Sequence, residues 1–172
     1  EAGVTAFCSK PLFLSELRNC LYSIVNADET RGEKPLDELA DIQAGRILLA
    51  EDNELNQEIA TEILTDAGFS VDVAGNGQDA VDMLKVSEPG YYQLVLMDVQ
   101  MPVMNGHEAA RTIRKLEDRE LASVPILAMT ANAFEEDKQA ALECGMNGHI
   151  AKPIDVENLF ATLNKVLREQ SA

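Results

Sequence analysis

The chain has no apolar run approaching the roughly 20 residues that cross a bilayer, and no basic-plus-apolar signal pattern at its N-terminus. Nothing in it calls for a membrane or for export, and a cytoplasmic segment is expected, whether or not a longer parent is anchored in a membrane. Basic residues are scarce as well, 14 against 30 acidic ones for a net charge of -16. Such a surface repels nucleic acid and anionic lipid, so neither is an expected partner. Cysteine is nearly absent: Cys8, Cys20 and Cys144 are odd in number and lack metal-ligand spacing. That leaves no disulfide framework and no zinc site, and buried reduced thiols are the plain reading.

The 172 residues, 46% of them apolar, suffice for one domain of common size and a remainder. The most informative stretch is Gln93 to Gly106, QLVLMDVQMPVMNG. Leu94-Val95-Leu96-Met97 is a short apolar run bounded by turn-formers, which reads as a buried strand. It delivers Asp98 to the carboxyl edge of a sheet, and Met101-Pro102 and Asn105-Gly106 force a turn before the next helix.

Around it, strands and helices alternate. Ile47 to Ala50 reads as strand one, closed by Glu51-Asp52-Asn53, and a helix with Leu55, Ile59, Ile63 and Leu64 apolar stops at Gly68. Ser70 to Ala74 is strand two, and a helix carrying Ala80, Val81 and Leu84 ends by Pro89-Gly90. Helix three spans about Gly106 to Glu117. Val124 to Met129 is strand four, ending in Thr130-Ala131-Asn132, and helix four covers roughly Ala133 to Cys144. His149 to Ala151 is a brief strand five before Lys152-Pro153, and Asp155 is a natural N-cap for helix five, which runs to about Arg168. This is an α/β, flavodoxin-like (βα)5 pattern: a doubly wound parallel sheet of expected order 2-1-3-4-5.

The chain also repeats itself. Glu143-Cys144-Gly145 matches Glu1-Ala2-Gly3, Lys152-Pro153 matches Lys10-Pro11, and Leu159, Leu163 and Leu167 match Leu17, Leu21 and Val25. A repeat of domain length implies two copies of one domain. Residues 1–26 are then the last strand and helix of a truncated copy, an N-terminal helical remnant. Residues 27–45 are a polar linker and 46–170 the intact domain. The remnant helix, about Leu12 to Val25, has an apolar face whose parent sheet is missing, so it is expected to pack on the intact domain or another chain.

The expected strand order gathers Glu51, Asp52, Asp98, Thr130 and Lys152 around one crevice. Taken singly, each has an ordinary reading: acids at a helix N-terminus, a threonine N-cap, a surface lysine before a cis or turn-forming proline. Their fall at successive strand ends points to a site. Carboxylates pressed together raise each other's cost of ionisation unless a cation sits among them, and an all-oxygen set suits Mg²⁺. With a hydroxyl and an ammonium nearby, these are the parts for phosphoryl transfer onto an aspartate.

The span 46–168 resembles the receiver domain of two-component response regulators over its full length. The resemblance rests on Glu51-Asp52, the DxxMPxMxG stretch at Asp98, Thr130-Ala131 and Lys152-Pro153. It implies that Asp98 accepts a phosphoryl group from a phosphohistidine, with Asp52, Asp98, the Gln100 backbone carbonyl and, through water, Glu51 holding Mg²⁺. Thr130 and Lys152 would bind the phosphoryl group. Thr130 and His149 would form the switch; a histidine here either rotates with the threonine, with added pH sensitivity, or is simply a buried core ring, the plainer expectation. Gln100 and Asn132 would tune the acyl-phosphate lifetime. Leu55, Asn56, Pro153 and Ile154 border a docking face for a histidine kinase phosphotransfer domain or histidine phosphotransfer protein, Leu55 being readable equally as core.

Helix four, strand five and helix five would form the dimer or output face. Neither His107 nor His149 is placed as a donor histidine. The implied parent is a hybrid sensor histidine kinase or a multi-receiver regulator, and the segment itself is a signalling receiver that assists its own phosphorylation rather than a conventional enzyme. A phosphorylation-independent interaction domain is one alternative. A Mg²⁺-dependent aspartyl-phosphate phosphohydrolase is another, but Gln100 stands where such an enzyme needs a second aspartate as acid/base.

Overall fold

The computed structural model describes residues 44–131 and 134–170; the remnant, its proposed packing, most of the linker and Asn132 lie outside the described residues. Five parallel strands form one sheet in the order β2-β1-β3-β4-β5. They are β1 (Arg46–Ala50), β2 (Ser70–Ala74), β3 (Leu94–Asp98), β4 (Ile126–Thr130) and β5 (Gly148–Ala151). Between them run α1 (Glu54–Asp66), α2 (Gly77–Val86), α3 (Gly106–Arg114), α4 (Glu135–Glu143) and α5 (Val156–Gln170).

The three central strands are apolar on both faces because helices cover both. Leu48, Ala50, Val95, Met97, Ile126 and Ala128 point to one side, where they pack with Ala80, Val81 and Leu84 of α2 and Ala109, Ala110 and Ile113 of α3. Their neighbours one residue along, Ile47, Leu49, Leu94, Leu96, Leu127 and Met129, meet Ile63 and Leu64 of α1 and Leu159, Phe160 and Leu163 of α5. This is the period of two expected of a strand buried on both faces. The edge strand β2 is exposed or half-buried from Ser70 to Val73, and only Ala74 is buried. The strand is pinned by Asp72, which pairs with Arg46 at 2.7 Å and accepts the Tyr92 hydroxyl at 3.0 Å.

Helix starts are set by side chains that satisfy free backbone N–H groups. Asn53 caps α1, Asn76 caps α2, and Asn105 forms a capping box with Glu108 at α3. Asp155 accepts from the Asn158 N–H at 2.8 Å ahead of α5, in its expected role. Helix α3 ends at Arg114 rather than near Glu117, because Asp118 caps a separate single helical turn, Arg119–Ala122.

The register decides what meets at the carboxyl edge. Ala50 pairs with Met97, Asp98 with Met129 and Thr130 with Ala151. Glu51, Asp98, Thr130 and Lys152 therefore emerge side by side from four adjacent strands.

Candidate functional site

Glu51, Asp98 and Thr130 are buried to within a few per cent, and all sit at strand ends. Burial of carboxylates requires donors, and each has them. One Glu51 oxygen, Oε1, accepts from the Asn53 backbone N–H and the Asn56 side-chain amide, both at 3.2 Å. The other, Oε2, takes Lys152 Nζ at 2.7 Å. Asp98 Oδ2 takes the same ammonium at 2.8 Å, and its Oδ1 accepts the Gln100 N–H at 3.1 Å. The Lys152 backbone N–H donates to the Thr130 carbonyl at 2.7 Å, and the Lys152–Pro153 peptide is cis.

Asp52 is exposed, yet its carboxylate, with those of Glu51 and Asp98, places one oxygen per residue within 4.8 Å of the others. Among the described residues this is the only group of three metal-ligating side chains so gathered. The donor set is all oxygen and strongly anionic, two of its three members are held rigidly, and the third faces solvent. It fits a hard divalent cation such as Mg²⁺, which keeps several waters.

Electrostatics follow from burial. Desolvation raises the Asp98 pKa, the Glu51 charge adds to it, and the hydrogen bond from Lys152 opposes it. Burial alone would lower Lys152, but its hydrogen bonds to Asp98 and Glu51 outweigh that and hold the ammonium more firmly protonated than usual.

The loop after β3 keeps Asp98 in place. The Val99 N–H donates to the Met129 carbonyl and the Gly106 N–H to the Val99 carbonyl, both at 3.0 Å. A Cβ at Gly106 would overlap the Asp98 carbonyl oxygen, so only glycine lets α3 start this close to the strand. At the loop tip Val103 has φ +67°, a left-handed conformation unusual for a β-branched residue, and its side chain is exposed. Beside the carboxylates an open groove is lined by Asp52, Val99, Gln100, Met101, Pro102, Asn105 and His107.

Of the residues expected to face a partner, Leu55 is 58% exposed and Pro153 is also exposed. Ile154 packs against the α1/α5 core, and the Asn56 amide turns inward to Glu51. His149 is half-buried rather than enclosed. Its ring is pushed below its ordinary pKa by desolvation and Lys138, with Glu135 opposing. A cavity of about 500 Å³ at the opposite edge of the sheet, lined by Arg46, Tyr92, Gln93 and Leu167 among others, contains none of the carboxylates.

Sequence reasoning missed two features. Asn53, Asn56 and Gln57 form a cradle for Glu51, Gln57 Nε2 donating to its backbone carbonyl at 2.6 Å. Asn53 contributes its backbone N–H, and the cue was the two amide side chains, Asn56 and Gln57, within six residues of Glu51. His107 Nδ1 lies 3.3 Å from the Sγ of buried Cys144, linking the first turn of α3 to the end of α4. Burial and Arg111 lower the His107 pKa, with Asp137 opposing. A pKa lowered in the folded state means that its stabilising contribution is complete above the ordinary value of 6.5 and is lost as pH falls through the lowered one. Thermal melts between about pH 7 and 5 should therefore show a steeper fall for the parent chain than for His107→Gln; equal slopes would contradict this.

The comparisons agree with the geometry. A family model described as "Response regulator receiver domain" matches residues 47–164. Hybrid signal transduction histidine kinase I of Dictyostelium discoideum is 38% identical over 121 residues, 69% of this chain and 7% of that protein. Probable histidine kinase 4 of Oryza sativa subsp. japonica is 32% identical over 195 residues, 96% of this chain and 19% of that one. The chain thus spans a fifth or less of these curated relatives.

Among solved structures, the receiver domain of sensor histidine kinase PA1611 from Pseudomonas aeruginosa has a magnesium ion coordinated in its active-site cleft. It is 35% identical with a TM-score of 0.65, over 73% of this chain and 99% of that one. The receiver domain of the Saccharomyces cerevisiae response regulator Ssk1, solved with the histidine phosphotransfer protein Ypd1, is 34% identical with a TM-score of 0.67 over 75% and 92%. Among the described residues no helix is long and apolar enough to cross a membrane.

Proposed function

The chain belongs to the response regulator receiver domain family and is a phosphoacceptor module; on that premise we propose that Asp98 is the acceptor and that its donor is a phosphohistidine on another domain or protein. The observation that carries this reading is the placement of Asp98. It is almost wholly buried at a strand end, oriented by Lys152 and the Gln100 N–H, with two more carboxylates alongside.

An Asp98 carboxylate oxygen attacks phosphorus, the P–N bond of the phosphohistidine breaks, and the bonding electron pair leaves with the imidazole, which takes up a proton. Lys152 and the Thr130 hydroxyl hold oxygens of the transferred group. Asp52, Asp98 and the Gln100 backbone carbonyl would hold Mg²⁺, with Glu51 reaching it through water. When bound, that ion neutralises charge on the transferred oxygens. Thr130, on the strand beside His149, passes the event towards α4 and β5, and Gln100 and Asn132 set how fast the acyl phosphate hydrolyses. The dimer or output contact falls on α4, β5 and α5, where Phe134 and Leu142 are exposed.

Residues 46–170 would act as one receiver inside a longer hybrid histidine kinase, with 1–26 the remnant of a preceding copy and 27–45 the linker. A phosphohydrolase is disfavoured by Gln100, which has no acid/base function two residues beyond the nucleophile. A phosphorylation-independent adaptor would have no use for a buried, lysine-paired aspartate. Beryllofluoride with Mg²⁺ should shift the Thr130 and His149 amide signals in the parent chain and leave Asp98→Asn unchanged. Shifts that persist in the variant, or none in the parent, would contradict the reading.

Exposed Leu55, one turn from the crevice, is placed as an apolar contact for a helical phosphotransfer partner. Leu55→Asp should alter stability by no more than about 0.5 kcal/mol and slow transfer from such a partner about tenfold. Transfer at the parent rate would remove Leu55 from the interface.

A further inference from the structure

Lys152 already occupies the place of a cation. Its ammonium lies 2.7 Å from Glu51 and 2.8 Å from Asp98, two of the three carboxylates assigned to the metal. The second oxygen of each is spoken for: Glu51 Oε1 by Asn53 and Asn56, and Asp98 Oδ1 by the Gln100 N–H. Both carboxylates are buried, so the lysine supplies most of the neutralisation they have within the protein.

Resting on the metal reading above, we infer that Lys152 is a built-in counterion that sets the affinity for Mg²⁺. It holds the acidic cluster together without metal and opposes metal entry, which keeps the ion weakly held and exchangeable. Electrostatics fix the direction. Like charges a few ångströms apart repel even in bulk water, and a divalent ion doubles the effect. Removing the ammonium should therefore tighten Mg²⁺ binding by about tenfold or more.

The test titrates magnesium chloride alone into the full chain by calorimetry, for the parent, Lys152→Met, Lys152→Arg and Asp52→Asn. Lys152→Met should bind about tenfold tighter and show a larger Mg²⁺-induced rise in melting temperature, since a ligand that binds only the folded state stabilises in proportion to its affinity. Lys152→Arg, which keeps the charge, should stay within about threefold of the parent. Equal or weaker binding by Lys152→Met, with Asp52→Asn still impaired, would overturn the inference and leave the metal site standing. No binding by the parent would overturn the metal reading itself.

Should Lys152→Met fail to fold, the parent chain still decides. The Lys152 Cε resonance should shift on Mg²⁺ addition with the same midpoint as the Asp52 amide. An Asp52 shift with Lys152 unmoved would contradict the inference.

Discussion

Gly106→Ala should cost about 2–4 kcal/mol of folding stability and remove most phosphoryl uptake with it. The new Cβ would overlap the Asp98 carbonyl oxygen and come within 3.0 Å of the Asp98 carbonyl carbon and Met97 Cγ. Two of these are backbone atoms of a central strand, so no rotamer change relieves the clash. Either α3 moves outward, losing the Gly106-to-Val99 hydrogen bond, or β3 moves and carries Asp98 away from Lys152 and the Gln100 N–H. Gly90→Ala is the control: Gly90 has φ +79° but open space around it, so it should lose only about 1 kcal/mol, the cost of the conformation alone. Urea unfolding midpoints give the comparison. A Gly106→Ala loss no larger than that of Gly90→Ala would mean that the strand yields easily.

The second large effect lies away from the site. Arg114 donates Nε to the Gly145 carbonyl at 2.8 Å and Nη1 to the Ala122 and Val124 carbonyls at 2.6 and 2.8 Å. Its Nη2 reaches Asn147 Oδ1 at 2.9 Å, and that oxygen also accepts the Ile126 N–H. Among the described residues no carboxylate pairs with this guanidinium, and burial lowers its pKa. Its work is to satisfy the chain ends that enter β4 and β5. Arg114→Met leaves three main-chain carbonyls without that donor and should cost about 2–4 kcal/mol. Lysine, a single point of charge, should restore less than half of it. Because the acceptor site is built elsewhere, folded Arg114→Met should still take up phosphoryl groups in the cold. A variant as stable as the parent, or one that folds but takes up none, would contradict this division of labour.

The contrast between these residues and the acceptor cluster shows what the sequence made legible. Asp98, Glu51, Thr130 and Lys152 could be placed because each ends an apolar run, and a parallel sheet brings strand ends together whatever the loops do. Alternation and right-handed crossovers implied a doubly wound parallel sheet, and 2-1-3-4-5 was expected as the common order for five such strands. Arg114 was invisible because its partners lie 8 to 33 residues away, and three of the four are backbone carbonyls that any sequence carries. Asn56 was placed on the docking face by resemblance to the family, which does not say that its amide folds back to Glu51. The end of α3 was misjudged because Leu116 continues the apolar period, while the competing cap at Asp118 showed only once the single turn was seen. For His149, residue type could not settle depth; an edge strand half covered by α4 leaves its ring partly in solvent.

The central claim, that Asp98 receives a phosphoryl group in a metal-dependent step, is tested most directly by intact mass after incubation with acetyl phosphate. The parent chain with Mg²⁺ should gain one phosphoryl group, and should gain none with the metal chelated. Asp98→Asn should gain none under either condition. A Mg²⁺-dependent adduct of the same mass on folded Asp98→Asn would place the acceptor elsewhere and contradict the account.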